Sequence, residues 1–351
     1  MLGSGRPAFR ANATVPGVPD PRPHDPASAA ATLADVGEEG LLARIVPRLP
    51  PAPGALVGPG DDTAVVATPD RRVVATTDVM VEGRDFRRDW SSAADVGWKA
   101  AAQNLADVAA MGAVPTALLV ALVAPPDLPV AWAEGLADGL AAGCADTGAG
   151  VVGGDLSSGR TVMVSVTALG DLQGRPAVLR SGAQPGDVVA VAGVLGRSAG
   201  GLALLTLGRP ELGPGLVAAH RRPHPPYAAG PGAALAGATS MLDISDGLLR
   251  DLGRVAQASG VAVDLDRSAL AAHLAPLRPA ADRVGADPWQ WLLGGGEDHA
   301  LAATFPPSIE LPAGFSRVGV VLPADGAAAG SVLLDGTAPA LSRGWDHFGG
   351  V

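Results

Sequence analysis

The sequence predicts two successive α/β (or α+β) domains. Three observations carry this. The chain has 351 residues, enough for two cores of ordinary size. Strand-like apolar runs alternate with helix-periodic stretches along most of it. A turn-rich break, DLQGRPAVLRSGAQP at 171–185, then separates two such series. Hydrophobic residues at 48% against 17% charged residues make the chain globular.

Taken in order, the chain opens on a Pro-, Gly- and Arg-rich stretch with no apolar core of a signal peptide. It reads as disordered to about Ala30, and residues 1–35 are set apart as a tail. An N-terminal domain follows over 36–173. In it VVATTDVMV, from Val73 to Val81, is a strand. Ser92 to Met111 is a long helix, with Trp98, Ala101, Leu105, Val108 and Met111 near helical spacing. Trp132 to Thr147 is a second, Ala/Gly-rich helix. Val151-Val152 runs into GGD, and TVMVSVTAL from Thr161 to Leu169 alternates as a strand does. The boundary falls near Gly174, and the C-terminal domain covers 174–351. It restarts with a strand at Asp187 to Ala192, then a glycine-rich corner from Gly193 to Gly201. A proline-rich loop is expected over 208–232. Met241 to Ile244 is a short strand, and Gly247 to Ser259 a helix with Leu248, Leu249, Leu252, Val255 and Ala256 inward.

Composition excludes several functions. A net charge of −10 is wrong for phosphate-backbone binding, so no nucleic acid partner is expected. No apolar run reaches the roughly 18 residues that span a bilayer, so no membrane partner is expected either. The single cysteine, Cys144, rules out an intrachain disulfide and a thiolate metal cage, and suits a cytoplasmic setting. Lysine also occurs once, at Lys99, among 25 Lys and Arg residues.

Carboxylates recur where strands run out into turns. GPGDD holds Asp61 and Asp62, ATTD holds Asp78, VVGGD holds Asp155, and LDISDG holds Asp243 and Asp246. Asp107 adds one from the helix QNLADVAAMG, with Gln103 and Asn104 expected on its side of the helix. Each has an ordinary explanation alone. Asp is a common turn former, Asp246 suits an N-cap, and Asp107 suits a solvated surface. Together they suit a hard divalent cation, which takes a few carboxylates and shares the rest of its shell with phosphate and water. Thr76 and Thr77 offer further oxygens. No G-x-x-x-x-G-K-[ST] loop accompanies them, so a P-loop enzyme is excluded. Protein-kinase signatures are absent too. Phosphates would be held by metal bridges, backbone N–H groups and arginines such as Arg180.

These segments resemble thiamine-monophosphate kinase, within the larger group that includes aminoimidazole ribonucleotide synthetase. The similarity runs through VGEEGLLARI (36–45), VGPGDDTAVV (57–66), ATTDVMVEGRDF (75–86), DVGWKAAAQNLADVAAMGAVP (95–115) and VVGGD (151–155). It continues through LRSGAQPGD (179–187), LDISDGLLRDLGRVAQASG (242–260), GGGEDHAL (294–301) and GWDHF (344–348). The resemblance implies a two-domain aminoimidazole ribonucleotide synthetase-like fold whose N-terminal domain forms the sheet of a homodimer. It implies ATP-dependent phosphorylation of thiamine monophosphate to thiamine diphosphate, by direct in-line transfer with several Mg²⁺ ions. By motif position Asp62, Thr76, Thr77, Asp78, Asp107, Asp155, Asp243 and Asp246 match metal-binding residues. Gly154, Asp155, Arg180 and Ser245 match the nucleotide side, and Asp85, Glu297 and Trp345 the substrate side. The resemblance assigns the catalytic charge stabilisation to Asp78, Asp107 and Arg180.

Asp85 stands where the family commonly has His, GGDLS replaces GGDTT, and GGGEDHAL replaces GGEDYEL. No metal-matching position is lost. Within the fold, selenophosphate synthetases and hydrogenase-maturation relatives need a reactive thiol or selenol near a terminus, and Cys144 sits mid-chain in a helix. A purine-precursor cyclase and a non-catalytic Mg–nucleotide or thiamine-phosphate binding protein are the remaining alternatives. Thiamine-phosphate-dependent ADP formation separates them.

Overall fold

The computed structural model describes residues 31–60, 63–324, 328–341 and 344. The N-terminal part is built on strands β3 (Val74–Val81), β4 (Val114–Ala124), β5 (Gly150–Ser158) and β6 (Met163–Asp171), in sheet order β3-β6-β4-β5. β4 and β5 run parallel and the other pairs antiparallel. Helix α1 (Leu33–Ile45) precedes the sheet, as does a two-stranded ribbon of β1 (Ala55–Val57) and β2 (Val65–Val66). Helices α2 (Ala93–Ala110) and α3 (Val130–Cys144) share a core with the inner face of the sheet.

Local sequence explains α2. Ser92 and Asp95 form a reciprocal capping box, each side chain bonded to the other's backbone N–H. Its apolar side is nearly all alanine, valine and leucine, and Gly97 lets it approach α3 closely. A Cβ there would lie 2.1 Å from the Leu136 carbonyl oxygen. Leu105 is fully buried in this core, and truncation to alanine would cost roughly 2–5 kcal/mol.

The C-terminal part is a six-stranded sheet of β7 (Val188–Ala192), β8 (Ser240–Ile244), β9 (Val261–Leu265), β10 (Ala300–Phe305), β11 (Phe315–Pro323) and β12 (Val332–Leu334). Their order is β12-β9-β11-β7-β10-β8, antiparallel except for β12 on β9. Helices α4 (Arg197–Thr206), α5 (Pro214–Arg221), α7 (Leu248–Ser259), α8 (Arg267–Leu274), α9 (Arg278–Val284) and α10 (Pro288–Gly294) share one core with one face of this sheet, and α6 (Ala229–Ala236) packs on the other. Proline and glycine in the segment after Gly193 do not keep it a loop. α4 starts inside the expected glycine corner, and α5 accommodates Pro214 in its first turn, where the missing N–H costs nothing. Strand β10 pairs with both β7 and β8, in a register that sets Ala300 opposite Ile244. That register brings His299 to Asp243. α2 also packs against β8, so the end of β8 faces the polar stripe of α2.

Candidate active site

A cleft of about 780 Å³ lies between the two parts. Alternation along β3 sends Thr76 and Asp78 to the α2 side of the sheet and Thr77 to the other, where it bonds Thr167. On α2, Asp95, Lys99, Gln103 and Asp107 recur every fourth residue and all line the cleft. Thr76 Oγ1 donates to Asp107 Oδ2 at 2.8 Å, and Gln103 Nε2 donates to Asp78 Oδ2 at 3.2 Å. Asn104 does not join them. It is buried, and its Nδ2 bonds the Ala100 carbonyl of its own helix.

From the C-terminal part come Asp243, Ser245 and Asp246, with Arg180, Gly294 to Gly296, Glu297 and His299. Asp246 is not the N-cap of α7; Gly247 holds that position. Its carboxylate instead meets Arg254 at 2.6 Å, and Arg254 also holds Asp251. His299 Nδ1 lies 3.1 Å from Asp243 Oδ2. Although burial opposes it, that hydrogen bond and charge raise the imidazole above its usual range. Asp107 is pushed up to about 7, by burial first and then by Asp243 and Asp78, against the lowering pull of Thr76 and His299.

Crowded carboxylates from both parts, all hard oxygen donors, fit Mg²⁺. Among the described residues no group of three or more His, Cys, Asp or Glu side chains forms a ready cage.

Gly154 and Asp155 are placed elsewhere. They line a second cavity with Gly60, Thr63 and Thr167, away from Asp78 and Asp107. Asp85 lines the cleft, but its Oδ2 accepts the Val81 N–H at 2.8 Å and so braces its own turn. Asp61, Asp62 and Trp345 lie outside the described residues. Cys144 is buried, with its thiol pushed up to about 12 by desolvation, which makes it inert. Two cleft residues escaped the sequence reading. Lys99 was signalled by its four-residue spacing from Gln103. His220 had no local signal, lying in a segment expected to be a loop.

Models for the AIR synthase related protein match this chain, the N-terminal domain at residues 60–172 and the C-terminal domain at 184–297. Thiamine-monophosphate kinase of Mycobacterium tuberculosis is 48% identical over 326 residues, covering 93% of this chain and 96% of the relative. The Corynebacterium glutamicum enzyme of that name is 42% identical, covering 90% and 95%.

The chain belongs to the thiamine-monophosphate kinase family.

Crystallographic relatives agree with the family and its α/β fold. The Aquifex aeolicus thiamine monophosphate kinase superimposes with a TM-score of 0.68 at 33% identity, covering 76% of this chain and 89% of that one. A structure described as AaThiL complexed with AMPPCP and TMP gives 0.70 at 33% identity, covering 82% and 91%. A hydrogenase maturation protein in complex with ATP gives 0.61 at 18% identity, a likeness of fold alone. The family is one of enzymes; the cleft described here is lined by acidic and basic groups, and the buried Cys144 offers no thiol chemistry.

Proposed function

We propose that this chain transfers the γ-phosphoryl group of ATP to thiamine monophosphate, giving thiamine diphosphate and ADP. The observation that carries the reading is the meeting of Asp78 and Asp107 with Asp243 in one cleft beside Arg180, in a member of this family. An oxygen of the acceptor phosphate bonds to the γ-phosphorus as the bond from that phosphorus to the β,γ-bridging oxygen breaks. No protein group need be phosphorylated. His299 supports this, because it is buried against Asp243 rather than offered as an acceptor.

When bound, Mg²⁺ supplies charge neutralisation at the phosphate oxygens. Thr76, Asp78, Asp107, Asp243 and Asp246 would hold it from the cleft. Arg180 lends a permanently charged group to the phosphates, and Ser245 joins it on the nucleotide side. Asp85 and Glu297 take the thiamine side, joined by Trp345 on its motif position. The outer face of the N-terminal sheet exposes Val79 (48%) and Leu119 (37%) near Thr77 and Thr167. A second copy packed on that face would cover it and form a homodimer in which Thr77, Gly154 and Asp155 act near the interface. No described helix is long and apolar enough to cross a membrane, and the reading sets the enzyme in the cytoplasm. ADP formation that depends on thiamine monophosphate and Mg²⁺ tests the function. ATP hydrolysis indifferent to thiamine monophosphate would refute it.

A further inference from the structure

The Glu297 carboxylate is held by two side chains. Lys99 Nζ, on α2, lies 2.7 Å from its Oε1. His220 Nδ1, on α5, lies 3.4 Å from its Oε2 and 3.0 Å from Ser198 Oγ on α4. The backbone beneath is equally constrained. Glu297 has φ +63°, its N–H donates to the Ser245 carbonyl at 2.9 Å, and a Cβ on Gly296 would meet that same carbonyl at 2.1 Å. A non-glycine residue in the left-handed region persists where its surroundings over-determine it.

Exposure divides unevenly between the partners. Lys99 is only 4% exposed, whereas the Glu297 side chain remains 36% open to the cleft. Burial acts to raise the Glu297 carboxyl, but the charge and hydrogen bond of Lys99 outweigh it and hold it below the ordinary glutamate range. Taking a lysine out of water is costly unless a partner repays it. A carboxylate aimed by two buried groups, with one flank left open, is what a preorganised binding group requires.

We propose that Lys99 and His220 are positioning residues that fix the plane of the Glu297 carboxylate, so that it accepts a hydrogen bond from the exocyclic amino group of the thiamine pyrimidine. This rests on the function proposed above and deepens it. Lys99 already neutralises the Glu297 charge at 2.7 Å. What Glu297 presents to a ligand is therefore an oriented acceptor more than a net charge, which suits a neutral N–H donor better than the thiazolium cation. Sites built to bond an N–H reject an analogue that lacks it.

The experiment compares thiamine monophosphate with oxythiamine monophosphate, in which a carbonyl oxygen replaces that amino group. Wild-type enzyme should prefer the amino compound in kcat/KM by roughly tenfold or more, the scale of one charge-assisted hydrogen bond. Lys99→Met should reduce that preference to about twofold or less, with the KM for ATP little changed, and Lys99→Arg should retain most of it. His220→Gln should weaken the preference in the same direction and serves where Lys99→Met fails to fold. Lys99→Met combined with Glu297→Gln should be no worse than Glu297→Gln alone, because Lys99 acts through Glu297. An unaltered preference in folded Lys99→Met or His220→Gln overturns the positioning role while the kinase reading stands. Absence of thiamine-monophosphate-dependent turnover in wild type removes both.

Discussion

Thr76 Oγ1 donates a 2.8 Å hydrogen bond to Asp107 Oδ2, joining strand β3 to helix α2 where the cleft carboxylates crowd together. The bond stabilises a charge that burial, Asp243 and Asp78 all disfavour. A fold chosen for stability alone would not gather three carboxylates in this way. The arrangement makes sense for a site that receives cations and phosphate.

Replacing Asp107 or Asp78 with Asn should therefore separate activity from stability. Turnover should fall by about two orders of magnitude or more, because phosphate charge is less well neutralised in the transition state. In EDTA, Asp107→Asn should melt a few degrees higher than wild type, since repulsion from Asp78 and Asp243 is relieved. Mg²⁺ with nucleotide should raise the wild-type melting temperature more than that of the variant. Near-normal turnover in Asp78→Asn at low Mg²⁺ would refute the metal assignment.

Much of this site was legible because local periodicity decides it. Alternation along VATTDVMV places Thr76 and Asp78 on one face, and a four-residue step on α2 aligns Gln103 with Asp107. Asn104 was misplaced because one residue turns a helix by about 100°, enough to send its amide back to Ala100. The helices α4 to α6 were hidden by proline and glycine that sit at first turns and close contacts rather than in loops. His220 was illegible for a different reason. Its approach to Glu297 depends on how α5 docks, which no local pattern encodes.

Direct transfer predicts an unlabelled protein. His299 is buried against Asp243 and Cys144 is buried with a raised pKa, so neither is a ready phospho-acceptor. Incubation with γ-labelled ATP and Mg²⁺ but no thiamine monophosphate should leave no covalent label by mass spectrometry. A stoichiometric phosphohistidine or acyl phosphate would overturn the mechanism.

His220 predicts a pH dependence of stability. Burial first, then Lys99 and Arg221, push its imidazole down to about 4, against the opposing pull of Glu297. Its ordinary value is 6.5. Between these values the unfolded chain binds a proton that the folded one refuses. The contribution is thus complete above pH 6.5 and is lost as pH falls from 6.5 through about 4. His220→Gln removes this dependence, while the other titrating groups largely cancel in the comparison. The stability advantage of wild type over the variant should shrink across this window by up to about 3 kcal/mol. Denaturant titrations at pH 7, 5.5 and 4 measure it, and a constant difference would show that His220 titrates normally.

The outer sheet face gives the last prediction. Val79 and Leu119 are exposed there although both are large and apolar, and the neighbouring Thr77 and Thr167 bond one another rather than a charged partner. In a two-fold dimer the same patch serves both subunits, so a charge placed on it is buried twice. Leu119→Arg should therefore shift the protein from dimer to monomer in sedimentation velocity, leaving its circular dichroism intact. Turnover should fall with dissociation, because Gly154 and Asp155 line a cavity apart from Asp78 and Asp107. In the proposed homodimer, a second subunit would bring the two groups together into one nucleotide site. Val79→Thr, milder in polarity, should weaken the dimer less and lose activity in proportion. A Leu119→Arg protein that stays dimeric places the interface elsewhere. A monomer with full turnover would show that each subunit works alone and that Asp155 is not shared across the face.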